Sequence, residues 1–437
     1  MVIIRLIRKR LFVIGVIFIF GAALLIRGIK ISSYPVSMTI DEVAIGFNAY
    51  SILNTGKDEW GKKFPLAFYS VGDYKPPVDI YLTVPFIKLF GVTEFAVRFP
   101  VVLLGALSAA IFILLLREIG FGKFGSLIGG VWFAFLPWHI RFSRGSFEAV
   151  SALFFVLWGT FLVLRSARLK SFGAFILSLV AFCLSVWAYH AERIFTPLLF
   201  VFLIIFLRKK INFIYQNKSR LLVCLAVLAV FIVPFLLLTF ATPAIRTRAL
   251  STSILREASL VKTLHHGNYN SWQEFVFDNY FYKIARHFAG KYLNYYDPNF
   301  WLNKGMNFTP AGLPDLGLFY LVDLPFILIG IYAVFTSRNK LLKALTVFWF
   351  FAGPIPAALT MNEQHLLRAL VWIPFFCLMV ASGSSWLWVR LEKRFKLKVV
   401  VFSLYSVLLL ISFVYFADLY FRQYFRFYSE YLQYGYK

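Results

Sequence analysis

Asp41 and Glu42 form an acidic pair just after Thr39, where an apolar stretch predicts a short helix. Thr39 and Glu42 have the spacing of a capping box, in which the glutamate side chain accepts from the backbone N–H of the cap residue. Helix formation therefore accounts for Glu42. Asp41 can face the helix dipole in the first turn, but the cap does not require it. Asp41 is thus the stronger candidate for a functional carboxylate.

A stiff turn follows at Tyr74-Lys75-Pro76-Pro77. A residue before proline favours extended backbone, and a proline suits the first turn of the next helix. The turn either has no further role or directs Lys75 toward an anion. Arg98 lies at the mouth of the next long apolar run. There it can bind a phosphate or extend to lipid headgroups.

Other ionisable residues fall in connections between apolar runs, where a tight loop is polar in any case. Their grouping on one predicted face makes them candidates for a substrate site together with Tyr74; they are His139, Arg144, Glu148, His190, His365 and Arg368. The histidine spacing matches no zinc signature. We therefore leave the metal unassigned, with a divalent cation as an option.

The composition indicates what kind of protein must position these side chains. Of 437 residues, 60% are hydrophobic and 15% are charged, and the mean hydropathy is +0.74. Soluble domains are about 45–50% apolar and about 25% charged. A soluble enzyme and a disordered chain are both excluded. The net charge of +25 lies mostly between apolar runs, which favours anionic lipid headgroups as partners rather than nucleic acid.

The fold class predicted is an all-α polytopic membrane protein with about eleven transmembrane helices. A spanning helix needs about 20 mostly apolar residues. The segments are 11–28, 96–116, 122–138, 147–164, 171–189, 193–207, 220–240, 313–335, 342–358, 366–388 and 398–416. Basic clusters in alternate short connections predict a cytoplasmic N-terminus, an outer C-terminal tail and a plasma or inner membrane location.

Two connections on the predicted outer face are long, 29–95 and 241–312, and both are rich in aromatic residues. We expect them to contain short helices at the membrane interface. The chain then divides into an N-terminal catalytic module (1–240), a large extracytoplasmic loop (241–312) and C-terminal helices with an outer tail (313–437). Function concentrates in long structured loops of this kind.

Several common catalytic motifs are missing from the sequence. It has no Walker A motif, no glycine-rich dinucleotide turn and no serine nucleophile elbow. It also has no cytoplasmic stretch large enough to bind a nucleotide sugar. Any donor should therefore be carried by the membrane and reach the protein on its outer side.

The order of these motifs resembles the type-C glycosyltransferases, in the branch of the protein O-mannosyltransferases and lipid A aminoarabinose transferases. The acidic pair, the Tyr74-Lys75-Pro76-Pro77 turn and Phe90-Gly91 with Arg98 follow one another after the first helix. Asn362-Glu-Gln-His365-Leu-Leu-Arg368, followed by Pro374, resembles the late outer loop of that branch. The resemblance is strongest over 35–200 and weaker over 340–385, and it leaves 241–312 unmatched.

The resemblance implies transfer of a sugar from a polyprenyl-phosphate donor to a protein, lipid or glycan on the extracytoplasmic face. At matching positions Asp41 would be the general base, with Glu42 as its neighbour. Lys75 would contact the donor phosphate, and Arg98 and Arg368 are further phosphate candidates.

Two other classes of function stay open at this point. A transporter or flippase of a lipid-linked anion would place ionisable or broken-helix features near the membrane midplane. Here the centres of the predicted helices are almost purely apolar. In a structural or assembly protein, by contrast, Asp41 would be dispensable.

Overall fold

The computed structural model describes most of the chain as a helical bundle. The described residues are 2–70, 72–242, 252–255, 272, 280–304, 313, 316–361 and 364–424. Most of the large loop predicted at 241–312 lies outside them, as do Asn362 and Glu363.

Eleven helices and one hairpin form the first part of the described chain. The helices are α1 (Val2–Gly28), α2 (Ile40–Thr55), α3 (Pro77–Phe90), α4 (Glu94–Ile119), α5 (Lys123–Phe135), α6 (Pro137–Ser143), α7 (Glu148–Leu169), α8 (Phe172–Ala188), α9 (Glu192–Leu207), α10 (Asn212–Tyr215) and α11 (Lys218–Ala241). Strands β1 (Phe68–Ser70) and β2 (Asp73–Lys75) pair antiparallel.

The later described elements are also helical. They are α12 (Tyr280–Asn294), α13 (Leu324–Thr336), α14 (Lys340–Ala352), α15 (Ile355–Ala358), α16 (Ile373–Arg390) and α17 (Phe395–Asp418). Short 3₁₀ segments precede α13 (Leu321–Asp323) and α16 (Leu370–Trp372), and single π turns occur at Phe300–Lys304 and Leu419–Gln423.

Seven helical stretches of the described chain are long and apolar enough to cross a membrane. They are Arg10–Gly28, Glu94–Ile119, Glu148–Leu169, Lys218–Ala241, Lys340–Ala358, Leu370–Arg390 and Phe395–Gln423. Three shorter apolar helices accompany them. The all-α polytopic membrane fold is therefore confirmed. All eleven predicted segments contain a helix, but eleven crossings remain a prediction.

One predicted boundary is wrong. The apolar run at 313–335 was expected to be helical throughout, yet helix begins only at Leu321. Pro325 lies in the first turn of α13, where proline is favoured. The residues before it instead run past the π turn, where Leu318 N–H donates to the Trp301 carbonyl oxygen at 2.8 Å.

Glycines let α13 and α16 pack closely. A Cβ added at Gly330 would lie 2.0 Å from the Met379 carbonyl oxygen, and one at Gly383 would lie 2.0 Å from that of Phe326. Neither leaves room for a side chain. Small residues at a helix contact are typical of membrane bundles, where close backbone approach supplies van der Waals packing.

The first long connection folds as a compact unit on the bundle. The predicted capping box is present, because Thr39 N–H donates to Glu42 Oε2 at 2.8 Å and Glu42 N–H donates to Thr39 Oγ1 at 3.2 Å. Pro77 starts α3, as predicted. A small apolar core includes Ile45 on α2 and Phe68 on β1. It holds the hairpin in position between α2, α3 and α4.

Candidate functional site

A cavity of about 420 Å³ opens where several connections meet at one end of the bundle. Its walls come from α2, the hairpin, the start of α7, the α8–α9 connection and the chain around α15. Seven predicted site residues line it: Asp41, Tyr74, Lys75, Glu148, His190, His365 and Arg368. Its volume lies in the range of ligand sites.

Asp41 and Lys75 form an ion pair at the mouth of this cavity. Asp41 lies in the first turn of α2, and its side chain is 55% exposed. Lys75, on β2, is buried and also lies 3.3 Å from Asp73 Oδ2. Burial lowers the pKa of Lys75, but the hydrogen bond and charge of Asp41 outweigh it, so the pKa is raised. Lys75 therefore stays protonated and orients the Asp41 carboxylate.

Glu148 provides a second carboxyl group from the start of α7. Its Oε1 is buried and has no hydrogen-bond partner within the described chain. Asp79, on α3, is fully buried and accepts a hydrogen bond from Ser151, three residues after Glu148. Burial raises the pKa of Asp79 to about 7, against the opposing effect of the Ser151 hydroxyl. The cavity is thus supported by a buried acid whose charge changes near neutral pH.

Two arginines line the cavity with unused donors. Arg368 hydrogen-bonds Tyr189, yet its Nη1 is buried without a partner among the described residues. Arg193 lies against the Phe235 ring at 5.0 Å, and its buried Nε is likewise unpartnered there. Unpaired buried donors are costly unless a ligand or water satisfies them. The wall is therefore suited to an anion.

His365 adds a neutral polar group beside Arg368. Burial, and then the nearby Arg368 charge, lower the pKa of His365 to about 4. Its backbone N–H donates to the Tyr295 hydroxyl oxygen at 2.7 Å. The imidazole is uncharged near neutral pH, so it does not add to the positive charge of the wall.

Sequence reasoning missed Arg193 and Asp73 as cavity residues. Arg193 falls in the same polar connection as His190 but was not selected as a site residue. Asp73 lies two residues before Lys75, and their register on β2 brings both side chains to the inner face of the hairpin. The signal for Asp73 was the period of two along a strand.

The structure does not support direct roles for Glu42 and Arg98. Both are fully buried and lie outside the cavity lining. Arg98 Nε donates to Glu42 Oε1 at 2.7 Å, and its other donors go to Glu42 Oε2 and to backbone carbonyls of 31, 35 and 37. No guanidinium donor remains for a phosphate. This pair instead attaches the start of α2 to α4.

His139 and Arg144, expected near the substrate, are also buried away from the cavity. His139 Nδ1 lies 2.9 Å from Arg27 Nη2. Arg144 donates to carbonyl oxygens at the end of α1 and in the chain that follows it, including Arg27 at 2.9 Å and Tyr34 at 3.1 Å. Its guanidinium also lies 4.7 Å from the Phe421 ring. These contacts hold the end of α1 and the start of the first connection in place.

No cluster of three or more His, Cys, Asp or Glu side chains that could hold a metal ion occurs among the residues described by the structure. The divalent cation remains an open expectation.

Part of the sequence matches a known protein family. Residues 74–237 match the family model of dolichyl-phosphate-mannose-protein mannosyltransferases. No curated protein matches the sequence significantly. The matched region begins at the hairpin and includes Lys75, Glu148 and Arg193.

Solved structures share the fold over nearly the whole chain. The archaeal oligosaccharyltransferase AglB from Archaeoglobus fulgidus, in complex with an inhibitory peptide and a dolichol-phosphate, superposes with a TM-score of 0.56 at 13% identity, covering 98% of this chain and 56% of AglB. The same enzyme with Zn and sulfate gives 0.54 at 14% identity, covering 96% and 53%. ArnT from Cupriavidus metallidurans gives 0.49 at 14% identity, covering 90% and 63%.

The chain therefore spans little more than half the length of AglB. It shares the fold of AglB, and its residues 74–237 match the family model of the dolichyl-phosphate-mannose-protein mannosyltransferases.

Proposed function

We propose that this integral membrane protein is a glycosyltransferase that moves a sugar from a polyprenyl-phosphate donor to an acceptor hydroxyl. The observation that carries the proposal is the cavity itself, in which one half-exposed carboxylate faces several cationic side chains. The family match, and the dolichol-phosphate held by AglB, support a lipid-linked donor.

The donor phosphate would lie on the basic wall. Lys75 is already paired with Asp41 and Asp73, whereas Arg193 and Arg368 carry unpartnered buried donors. Guanidinium groups bind phosphate oxygens in a bidentate manner. They stabilise the negative charge that grows on the phosphate as its bond to the sugar breaks.

An apolar groove supports a lipid tail on this donor. A space of about 740 Å³ runs along α9 and α14, lined by residues such as Phe202 and Phe348. Ile355 lines this groove, and the next residue, Pro356, lines the cavity. A polyprenyl chain in the groove would bring its phosphate to the arginines.

Asp41 would act as the general base. The acceptor oxygen forms a bond to the anomeric carbon while the bond from that carbon to the phosphate oxygen breaks. The phosphate keeps the electron pair, and the acceptor proton passes to Asp41. One displacement of this kind inverts the anomeric centre. Glu148 lies in the same cavity, where its unpartnered oxygen can accept from a sugar hydroxyl.

The chemistry would take place on the extracytoplasmic face, with the N-terminus in the cytoplasm. At the helix ends away from the cavity, Arg165 and Arg168 pair with Glu118. Lys209 and Lys210 follow the end of α9, in a connection predicted on the same side of the membrane as Arg165 and Arg168. Basic residues accumulate on the cytoplasmic side of membrane proteins. This distribution supports an extracytoplasmic position for the cavity.

The test uses the purified full chain in nanodiscs with dolichyl-phosphate mannose and other polyprenyl-phosphate sugars. No acceptor is added, so water takes the place of the acceptor hydroxyl, and mass spectrometry follows the resulting release of the polyprenyl phosphate by wild type, Asp41→Asn and Glu59→Gln. Glu59 is an exposed acid of the same loop that is not part of the cavity. We expect release by wild type and Glu59→Gln, and a loss of at least about a hundredfold in Asp41→Asn.

Equal release by Asp41→Asn would contradict the assigned base. Movement of the intact donor between the leaflets of proteoliposomes, without release of polyprenyl phosphate, would support a transporter instead.

A further inference from the structure

Three aromatic side chains form a row that leads outward from the cavity. The ring centroids of Trp60 and Tyr69 lie 5.6 Å apart, with their planes tilted by 49°. Those of Tyr69 and Tyr74 lie 5.2 Å apart, with a tilt of 52°. We call this row the aromatic ladder. Trp60 is 66% exposed and Tyr69 is 39% exposed. Tyr74 is partly buried and lines the cavity.

The hairpin fixes the ladder in place. Tyr69 and Tyr74 are direct cross-strand partners, so both rings lie on the same face of the two strands. The neighbouring pair, Phe68 and Lys75, is buried on the other face. One face of the hairpin therefore supplies the catalytic cavity, and the other presents the ladder.

Hydrogen bonds also hold Trp60 rigidly. Its indole N–H donates to the Tyr69 carbonyl oxygen at 2.7 Å, and its backbone N–H donates to Asp58 Oδ1 at 3.0 Å. An exposed ring that is already ordered loses little conformational entropy when a ligand stacks on it. The ladder thus has the character of a preorganised binding surface.

We propose that the aromatic ladder binds a saccharide chain and leads its end to Asp41. The acceptor of the proposed transferase would then be a glycan, and this inference rests on that proposed function. Pyranose rings present apolar C–H faces, which pack on aromatic rings, while their hydroxyl edges stay in water. The ladder is continuous with the cavity through Tyr74, which directly precedes Lys75.

Two features favour a saccharide over the membrane surface. Tryptophan at a membrane interface places an apolar body in lipid and its N–H in the polar layer. The N–H of Trp60 is instead bonded to backbone. The ladder also ends in a charged cavity that contains Asp41 and Arg368, and not in the apolar groove along α14.

Direct binding to full-length protein in nanodiscs tests the inference. Mannotetraose, maltotetraose and chitotetraose are titrated and followed by saturation-transfer NMR. The proteins are wild type, Trp60→Ala, Tyr69→Ala and the matched control Phe64→Ala. Phe64 is 65% exposed in the same loop but is not part of the ladder. We expect at least one saccharide to bind wild type and Phe64→Ala, with Kd about tenfold weaker in each ladder variant.

Each remaining result would overturn the inference. It fails if none of the saccharides binds wild type, or if the ladder variants bind as tightly as wild type. Brominated phosphatidylcholine quenches tryptophan fluorescence only on contact. The inference also fails if this lipid quenches a part of the wild-type fluorescence that Trp60→Ala lacks, because the ladder would then lie in lipid.

Binding is measured in Asp41→Asn as well, which separates this inference from the proposed function. Saccharide binding that survives this change together with full donor turnover would leave the ladder standing and contradict only the assigned base. Loss of donor turnover in Asp41→Asn, with no saccharide binding to any of the proteins, would support the assigned base and contradict only the ladder.

Discussion

Arginines serve two different purposes in neighbouring regions of this molecule. Around the first connection, Arg98 is fully buried, and Glu42 and backbone carbonyl oxygens take up all of its donors. Arg144 is also fully buried and directs both Nη groups to backbone carbonyl oxygens, so that only its Nε is without a partner in the described chain. On the cavity wall, Arg193 and Arg368 are less buried and keep donors without a partner in the described chain.

The comparison shows that position at a helix mouth does not by itself indicate function. A guanidinium that is satisfied by carbonyl oxygens stabilises the fold, because its removal leaves those groups unpaired. A guanidinium with spare donors beside a cavity is available to a ligand. Substitutions should therefore separate into a group that changes stability and a group that changes substrate use.

The largest effect is expected from Arg98→Met. The change leaves the buried Glu42 carboxylate without its counter-ion, and breaking a buried pair costs about 3–5 kcal/mol. Thermal unfolding of the purified protein in detergent should show a large decrease in Tm, with little folded protein recovered. Arg98→Lys keeps the charge but not the forked hydrogen bonds, so its Tm should lie between the two.

An Arg98→Met protein that keeps its Tm but loses affinity for the donor would contradict the structural role of this residue. It would move Arg98 from the stabilising group to the substrate group.

A smaller effect, on activity, is expected from Arg193→Gln and Arg368→Gln. Each removes a charged donor from the cavity wall, so the KM for the polyprenyl-phosphate sugar should rise by about 10- to 100-fold. Tm should change little, since neither guanidinium is saturated by protein groups. Lys62→Gln is the matched control, because Lys62 is exposed in the first loop and is not part of the cavity.

Unchanged KM in both arginine variants, or an equal rise in Lys62→Gln, would show that the wall does not bind the donor phosphate. Unpaired donors beside the cavity would then not indicate a ligand-binding arginine in this protein.

The smallest effect is expected from Asp79→Asn, which tests the buried acid that supports the cavity. Its pKa of about 7 in the folded protein exceeds the value of about 3.9 for an unfolded chain. The stability contributed by the protonated carboxyl is therefore complete below about pH 4 and is lost as the pH rises through about 7. Between pH 5 and pH 8, the Tm of wild type should fall relative to Asp79→Asn by a few degrees.

Glu59→Gln, an exposed change in the same connection, should run parallel to wild type over this range. Parallel curves for Asp79→Asn as well would mean that Asp79 is already ionised in the folded protein near neutral pH.

Sequence analysis predicted the membrane class, the helical fold and the capping box that starts α2 in the first connection. Apolar runs of spanning length are a strong local signal, and the Thr39–Glu42 capping box depends only on spacing. It failed at 316–320, where residues of an apolar run pack in the core without forming a helix. Composition cannot distinguish these two uses of apolar residues.

Sequence analysis predicted only part of the candidate site, because a sequence does not show which ionisable side chains meet in space. Asp41, Lys75, Glu148 and Arg368 were selected, and all four line one cavity. Arg98 and His139 were selected by the same argument and are buried elsewhere.

The sequence by itself determined that this is a helical membrane protein, because hydropathy and capping are properties of neighbouring residues. Only the tertiary structure decided which ionisable side chains meet a cavity and which are consumed by backbone carbonyls. Arg98 and Glu42 are 56 residues apart in the sequence, so no local signal links them. The difference between a structural arginine and a ligand-binding one depends on such long-range partners, and these are set by how the helices pack.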